Sequence, residues 1–323
     1  MKMTSRSLTS ALVLLLGSLA GVSTASAQSL DFQNYNVIVF GDLFTNSDIE
    51  GRTFVGGNFT GSNSATLGSR LQNKVDNSDR AFVVGNDLVP GNAIHLQGGS
   101  LYIDGNANGR VNRVVADHSI DAATASIRAY SEAQSQSLMS MASDSIVTLP
   151  SGGQPGAVKF FATGGNDGLA VFHVNAADIF NNNFVQQMEL ILDANTTDVL
   201  INVAGNVNWV GGANMVGNFT SNYWQAHTLW NFYDATLVDL NSHQFNGGIL
   251  APKAEVIIDG GSIDGLVVAN KLTATAEVHL PDGNGSTIAY NGYTAPVPEP
   301  GSAIFLLSAG GLLFIMRNRR LMV

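Results

Sequence analysis

Short apolar segments recur along the middle of the chain, and each is followed by residues that favour turns. The segments are about four to six residues long and rich in Val, Ile and Leu. Apolar runs of this length, bounded by Gly and Asn, predict β-strands. The predicted strands are residues 35–40, 81–84, 100–103, 169–174, 199–203, 236–240, 255–258, 265–269 and 276–280.

The connections between these strands repeat two dipeptides, Gly-Asn and Gly-Gly. Both residue types accept a positive φ, so each pair predicts a sharp corner. Short strands joined by sharp corners predict a mainly β fold, an irregular right-handed β-solenoid. Because the spacing is uneven, a β-sandwich remains the alternative. The corner pairs begin at Gly57, Gly85, Gly98, Gly105, Gly164, Gly205, Gly211, Gly217, Gly247 and Gly260.

One long segment breaks the strand pattern. Residues 117–142 contain neither Gly nor Pro, and their apolar positions recur at steps of three and four. This spacing predicts an α-helix of about six or seven turns, with Asp117 or Ser119 as its N-cap. We expect its apolar stripe to pack against the sheet rather than to hold a cofactor. The stripe consists of Ile120, Ile127, Tyr130, Leu138 and Met141.

Composition narrows the function classes. The chain has 323 residues, no cysteine and a formal net charge of −10. The negative charge argues against nucleic acid or an anionic membrane surface as a partner. Without cysteine, an exported domain of this size relies on its core and its hydrogen-bond ladders. We expect one large domain at residues 28–295, between two targeting segments.

The N-terminus has the pattern of a secretory signal peptide. An apolar core at residues 8–20 precedes the small residues Ala25 and Ala27, which form an A-x-A cleavage site. We therefore expect residues 1–27 to be removed and the mature chain to begin at Gln28. The alternative is an uncleaved N-terminal anchor.

The C-terminal segment, residues 296–323, has the pattern of a membrane anchor. Residues 303–316 carry no charged side chain, and Arg317, Arg319 and Arg320 follow them. The run is shorter than the ~20 residues that span a bilayer, so it predicts a short membrane helix. The arginines are expected on the cytoplasmic side. The alternative is an amphipathic helix docked on the domain.

The tripeptide Pro298-Glu299-Pro300 stands just before that apolar run. Tripeptide, apolar helix and terminal arginines together resemble the bacterial PEP-CTERM sorting signal. The resemblance implies that an exosortase of the inner membrane cuts near the tripeptide and releases or re-anchors the protein. The implied partners are the exosortase and the secretion machinery.

A second resemblance covers most of the mature chain, roughly residues 30–290. Its motifs resemble the choice-of-anchor A domain, an extracellular domain that occurs with different surface anchors. The resemblance implies a β-helix-like domain with an accessory helix, and it implies no catalytic activity. The motifs are residues 35–42 (YNVIVFGD), 47–58 (SDIEGRTFVGGN), 230–232 (WNF), 248–254 (GILAPKA), 265–269 (GLVVA) and 277–279 (EVH).

Asp42, Asp48 and Glu50 are the strongest candidates for chemistry. Two or more carboxylates converging on a groove would suit a carbohydrate-active β-helix enzyme, which is the alternative function. The plainer interpretation is that Asp48 and Glu50 are turn and surface carboxylates, one of them paired with Arg52. The same three carboxylates are weak candidates for calcium, as are the Asp-Gly corners at residues 104–106, 259–260 and 282–284.

Two further groups are candidates for binding. Glu277 and His279 fall on the same face of a predicted strand. There they would bind a metal ion or act as an acid/base pair; the alternative is a solvated strand face. Aromatic residues concentrate in one third of the chain and would stack on sugar rings if exposed, or belong to the core if not. The possible ligand-binding aromatics are Trp209, Tyr223 and Trp224, with Trp230 and Tyr233 nearby.

The sequence as a whole predicts a non-enzymatic protein exported to the cell surface or the extracellular matrix. Adhesion, with exopolysaccharide or biofilm association, is the expected role, and no cofactor beyond possible calcium is expected. Ice binding would require a flat array of threonines on one face. Only Thr273 and Thr275 suggest such an array, which is too little.

Overall fold

The computed structural model describes residues 34–61, 65–90, 94–108, 111–151, 153–281 and 287–296. The predicted signal peptide, the C-terminal apolar run and its Pro-Glu-Pro tripeptide lie outside these ranges. Residues Ser29–Val297 form one compact unit. Within the described ranges, no helix combines the length and the apolar character needed to cross a membrane.

β-Strands are the main regular structure of the described residues and far outnumber the helices, which confirms the mainly β prediction. The helices are α1 (Ile120–Met139), α2 (Ala176–Ile179) and α3 (Asn222–His227). The strands are β1 Val37–Val39, β2 Leu43–Thr45, β3 Thr53–Val55, β4 Phe59–Gly61, β5 Ala65–Leu67, β6 Arg80–Val84, β7 Leu88–Pro90, β8 Ile94–Leu96, β9 Ser100–Ile103, β10 Val114–Ala116, β11 Ile146–Thr148, β12 Gly156–Ala162, β13 Leu169–Asn175, β14 Val185–Leu192, β15 Asp198–Ala204, β16 Val207–Asn208, β17 Asn214–Gly217, β18 Thr228–Phe232, β19 Leu237–Asp239, β20 Phe245–Asn246, β21 Gly248–Ile258, β22 Ile263–Asp264, β23 Val267–Ala274 and β24 Val278–His279.

The strands stack in parallel ladders. The first ladder runs in the order β10-β9-β6-β3-β1-β23-β21-β18-β15-β13. Its strand β1 lies between β3 and β23, with Ile38 opposite Phe54 on one side and Val268 on the other. The first strand of the domain is therefore joined to one of its last, and the N-terminal and C-terminal halves form one continuous ladder.

A second and a third ladder run beside the first. The second ladder has the order β7-β4-β2-β23-β21-β19-β16. The long strands β21 and β23 belong to both ladders, since their first residues pair in the first ladder and their last residues in the second. Their register shifts between Ala251 and Glu255, where a Pro lies within the longer strand. The third ladder comprises two groups of strands, β20-β22-β24 and β5-β8. Ile49 joins the groups, because it pairs with Val278 of β24 on one side and with Leu67 of β5 on the other. A four-stranded sheet, β11-β12-β14-β17, accompanies them.

The inward side chains of the ladders form the main core. It is aliphatic near β1 and aromatic near β18, where ring edges meet ring faces at centroid distances of about 5–6 Å. Trp230, for example, lies 5.7 Å from Phe160 and 5.5 Å from Phe245. The fully buried aromatic side chains here are Trp209, Trp230, Phe160, Phe172, Phe180, Phe219, Phe232 and Phe245.

Helix α1 covers the outer face of the first ladder, and the predicted helix is confirmed. It begins after Ser119, and Asp117 accepts hydrogen bonds from the Ser119 amide and hydroxyl. Ile120, Ile127 and Leu138 are buried in a second core against strand residues such as Ile38, Phe54 and Val268. Tyr130 and Met141, the rest of the predicted stripe, are half-buried beside it.

The corner glycines serve two different purposes. Some have the predicted positive φ, such as Gly205 at 87° and Gly247 at 109°. Gly57 and its neighbour Asn58 do not, so the expectation of a positive φ at every corner pair is wrong. In the pair Gly247-Gly248, only Gly247 has a positive φ. Gly57 is required for another reason, the close approach of two corners. A Cβ at this position would lie 2.7 Å from the backbone of Gly41, which lies in the neighbouring corner.

Candidate functional site

Asp42 and Asp48 cap backbone corners. The Asp42 Oδ1 accepts hydrogen bonds from the Asn58 amide at 2.8 Å and from its side chain at 3.2 Å. The Asp48 Oδ1 accepts the Thr66 amide at 2.6 Å. Such bonds satisfy backbone donors at the ends of short strands. Asp42 begins a series in which each side chain caps the next corner, through Asn58, Asp87 and Asn106.

Glu50 lies apart from those two carboxylates and does not pair with Arg52. Its Oε1 accepts a hydrogen bond from Arg70 at 3.1 Å, and its Oε2 accepts the Leu280 amide at 2.8 Å. Arg52 instead lies 3.5 Å from Asp79. The predicted Arg52 pairing is therefore wrong, because the corner after Glu50 directs Arg52 towards the neighbouring loop.

Glu50 lines a cavity of about 510 Å³ on the third ladder, which we call the polar cleft. Neither Asp42 nor Asp48 lines it. One wall is helix α3 and the residues before it, and the other is the end of β24. The lining residues are Glu50, Arg70, Thr220, Asn222, Gln225, Gln244, Asp264, His279, Leu280 and Pro281.

Strand register assembles the centre of the cleft. Asp264 lies opposite His279 in the β22–β24 pair and opposite Asn246 in the β20–β22 pair. The Asp264 carboxylate, only 8% exposed, accepts hydrogen bonds from Gln225 at 3.1 Å and Gln244 at 2.7 Å. A buried carboxylate requires such donors to offset its lost hydration.

His279 lies between two carboxylates. Its Nδ1 is 2.7 Å from Asp264 and its Nε2 is 2.7 Å from Glu277, so the predicted neighbours Glu277 and His279 are in contact. The hydrogen bond to Asp264, aided by Glu277 and the charge of Glu50, raises the pKa of His279 to about 9. The imidazole is therefore a cation at neutral pH. Among the described residues, no group of three or more His, Asp or Glu side chains is arranged to hold a metal ion.

The aromatic candidates divide into core and surface. Trp209 is 1% exposed and stacks on His243, and Trp230 is fully buried. Of the two alternatives for these residues, Trp209 and Trp230 therefore follow the core one, because they fill the interior between the ladders. Trp224 packs against the core, and Tyr233 is half-buried. Tyr223 is 50% exposed and stacks on His227 at 4.1 Å.

The second ladder carries a different surface feature, which we call the outer row: Val89, Thr60, Phe44, Thr273 and Ile257. Each is directly opposite the next across parallel strands. All five are at least partly exposed, and Val89 is 50% exposed. Strands about 4.8 Å apart make this an uncharged row about 19 Å long. Beside it, Lys271 and Glu255 form an ion pair at 2.9 Å.

Sequence reasoning missed the centre of the cleft. Asp264 and Gln225 were not among the candidates, and the outer row was represented only by Thr273. One sequence feature pointed to Asp264, since it precedes a Gly corner and stands 15 residues before His279, about the distance between successive strands of one ladder. No sequence pattern indicates Gln225, which reaches the cleft from a helix.

Comparison with known proteins identifies the family through one family model. A family model described as "Putative Ice-binding-like adhesive domain" matches residues 29–280. A crystal structure of an ice-binding protein from the Antarctic ascomycete Antarctomyces psychrotrophicus is 12% identical, covering 78% of this chain and 98% of that one, with a TM-score of 0.28. An ice-binding protein from an Antarctic biological consortium is 13% identical, covering 76% and 86%, with a TM-score of 0.29. No curated protein matches.

Proposed function

Because this chain belongs to the ice-binding-like adhesive domain family, we propose that it is an exported, non-enzymatic adhesion protein of the cell surface or extracellular matrix. The family match spans nearly all of the compact unit Ser29–Val297, so the adhesive domain is the main body of the mature chain. The expected role is attachment to an exopolysaccharide matrix, as in a biofilm.

The outer row is the observation that carries this proposal. Five in-register side chains without charge form a continuous, partly exposed strip across the second ladder. Exposed apolar strips on soluble domains mark interaction surfaces. Phe44 lies at the centre of the strip, between Thr60 and Thr273. The Thr60 hydroxyl donates to the Leu43 carbonyl and the Thr273 hydroxyl to Glu255, so the strip offers an aromatic face and two hydroxyl oxygens as acceptors to a surface.

The parallel ladders support the finer fold proposal, an irregular right-handed β-solenoid with α1 packed outside it. In such a fold each strand contacts only its ladder neighbours, so a flat face extends over many strands. The outer row is one such face. The antiparallel pair β11–β12 is one departure from regular stacking.

We further propose that the sorting segments act as their sequences suggest. The signal peptide directs export, and the Pro298-Glu299-Pro300 tail makes the protein a substrate of an exosortase before release or re-anchoring. Support comes from the order of tripeptide, apolar run and Arg317, Arg319 and Arg320.

Attachment under flow tests the role of the outer row. Beads carrying the full-length protein are perfused over matrix polysaccharide from the producing cells. We expect Phe44→Glu to lower bead retention by about tenfold, because a charge replaces the apolar centre of the strip. Phe161→Glu is the matched control, since Phe161 is also an exposed phenylalanine on a strand but lies on β12.

Three results would overturn the proposal. Equal retention of Phe44→Glu and the parent protein would remove the outer row from adhesion. The parent protein could instead inhibit ice recrystallisation without attaching to polysaccharide. If Phe44→Glu lost that inhibition, the outer row would be an ice-binding surface. Depolymerisation of the polysaccharide by the purified protein would establish the carbohydrate-active enzyme instead.

A further inference from the structure

The polar cleft has the lining of a ligand site rather than of a packing defect. Eight of its ten lining residues are polar or charged, and only Leu280 and Pro281 are apolar. Its volume of about 510 Å³ falls within the range of small-molecule sites, about 300–1,000 Å³. Most such sites are largely apolar, so this lining selects a ligand rich in hydrogen-bonding groups.

Gln225 is the strongest single indication of a ligand. Its side chain is only 6% exposed, and its amide nitrogen donates to Asn246 and Asp264. No described residue donates a hydrogen bond to its carboxamide oxygen. The carboxamide oxygen of Gln225 is not among the buried side-chain atoms that lack a partner, so it opens onto the cleft and is available as an acceptor for a ligand that enters it.

Asn222 adds a second unused group at the first residue of the same helix, less than one turn from Gln225. Its exposed carboxamide makes no side-chain hydrogen bond with any described residue, although it lines the cleft. Two carboxamides three residues apart on α3 lie on the same face of the helix. Together they offer a donor and acceptors along one wall, facing the carboxylate floor.

The four charged side chains that line the cleft balance, and Glu277 at its edge adds one more carboxylate beside His279. Glu50 and Asp264 are anions, while Arg70 and His279 are cations at neutral pH. The ions pair with one another, Glu50 with Arg70 and Asp264 with His279. Each charged side chain that could attract a charged ligand is already paired with an opposite charge of the protein. The cleft therefore favours a neutral ligand.

We propose that the polar cleft binds a neutral saccharide unit. A planar carboxamide presents a donor and an acceptor side by side, which match neighbouring hydroxyls on a sugar ring. Gln225 and Asn222 form one wall, and Thr220 lies at the rim. Asp264 positions this wall, because its oxygens already accept hydrogen bonds from Gln225, Gln244, Ser262 and His279. The site lies on the third ladder and is separate from the outer row on the second, so its existence does not depend on the outer row's role in adhesion.

Isothermal titration of the full-length protein tests this site. The probes are cellotriose and maltotriose as neutral saccharides, trigalacturonic acid as an anion, glutamine as a zwitterion and calcium chloride. We expect saturable binding of at least one neutral trisaccharide with a Kd below ~1 mM. Asn222→Ala and Gln225→Ala should each weaken it about five- to tenfold.

Two controls make the result specific. Asn86→Ala removes another exposed asparagine without a side-chain hydrogen bond, at a corner between the first and second ladders, and should leave the Kd unchanged. Phe44→Glu should also leave it unchanged, so failure of the adhesion proposal and failure of this one are distinguishable. Because Gln225 is nearly buried, the exposed Asn222 keeps the test valid even if Gln225→Ala misfolds.

The proposal is overturned if neither neutral trisaccharide saturates the protein. It is also overturned if trigalacturonic acid, glutamine or calcium binds more tightly than both neutral saccharides. Loss of binding in Asn86→Ala, or unchanged binding in Asn222→Ala, would place any saccharide contact outside the cleft.

Discussion

At the scale of single residues, His279 and Asp264 have properties that neither strand provides alone. Parallel register puts the two side chains opposite each other, and the Glu277 carboxylate closes the other side of the ring. The resulting imidazolium is held between two anions. At mildly alkaline pH, His279 is therefore protonated in the folded protein and neutral in the unfolded chain.

This difference predicts a pH dependence of stability. The folded pKa of His279, about 9, exceeds the unfolded value of 6.5, so its stabilisation is complete below pH 6.5 and is lost as the pH rises through 9. Since the ring is about one-third exposed, we expect a loss of about 1–2 kcal/mol in the free energy of unfolding. Urea unfolding from pH 6 to pH 9.5 measures it. In His279→Gln this decline should disappear; parallel curves for both proteins would contradict the assignment.

Gly57 illustrates a second residue-scale constraint, close approach between neighbouring corners. A Cβ there would lie 2.6 Å from the Asp42 carboxylate and 2.7 Å from the Gly41 backbone. We expect Gly57→Ala to lower the free energy of unfolding by about 2 kcal/mol or more, because the corners must separate.

The matched control is Gly212→Ala. Gly212 has no positive φ, and the nearest atom to its Cβ position is 3.8 Å away. This substitution should leave the free energy of unfolding unchanged or raise it by up to ~1 kcal/mol, because alanine lowers the conformational entropy of the unfolded chain. Thermal unfolding compares the two variants, and equal midpoints would show that the corner at Gly57 tolerates a side chain.

At the scale of elements, a buried polar row joins helix α1 to the first ladder. Asn231 and Asn202 lie opposite each other on β18 and β15 and are both fully buried. Asn231 exchanges hydrogen bonds with Ser135 of the helix, at 2.6 and 2.8 Å, and Asn202 donates to the Leu138 carbonyl at 3.0 Å. These bonds fix the helix in one position along an otherwise apolar face.

We therefore expect Asn231→Ala to lower the free energy of unfolding by about 2–4 kcal/mol. The change removes three buried hydrogen bonds and leaves the Ser135 hydroxyl and the Asn202 carboxamide oxygen without a partner. Ser126→Ala on the exposed face of the same helix is the control and should stay within ~0.5 kcal/mol. A double-mutant cycle with Ser135→Ala should show coupling; strict additivity would mean that the contact does not hold the helix.

At the scale of the whole molecule, the chain's order and the ladder's order differ. The ladder grows outward from β1 to β10, α1 returns along its outer face, and the later strands lead from β13 back to β23 beside β1. Contacts between β1 and β23 link residues about 230 positions apart along the chain. The two halves consequently share one core.

The termini carry the final whole-molecule prediction. Replacing Pro298-Glu299-Pro300 with alanines should leave export intact and leave the protein unprocessed in the inner membrane, because the tripeptide lies outside the apolar run and serves recognition. Membrane fractionation and the mass of the mature protein measure this. A triple alanine change at residues 282–284 is the control. Normal surface delivery of the 298–300 variant with an unchanged mature mass would refute the sorting proposal.

Some of the candidate site was predictable and some was not. The sequence indicates Glu50, Glu277 and His279, and they meet around one cleft or its edge because strands of one ladder bring the same face together. Closeness in sequence also groups Asp42 and Asp48 with Glu50, but each of the two lies at a different corner and caps it. Closeness along a chain that turns every few residues does not mean closeness in space.

The sequence by itself determined the local elements: the short strands, the turns between them and helix α1, each set by side-chain periodicity and by Gly and Asn. Only the tertiary structure decided which strands are neighbours, and with that the outer row, the polar cleft and the burial of Trp209 and Trp230. The physical reason is that local propensity acts over a few residues. Strand pairing such as β1 with β23 is chosen by the burial of one shared core, which depends on the whole chain at once.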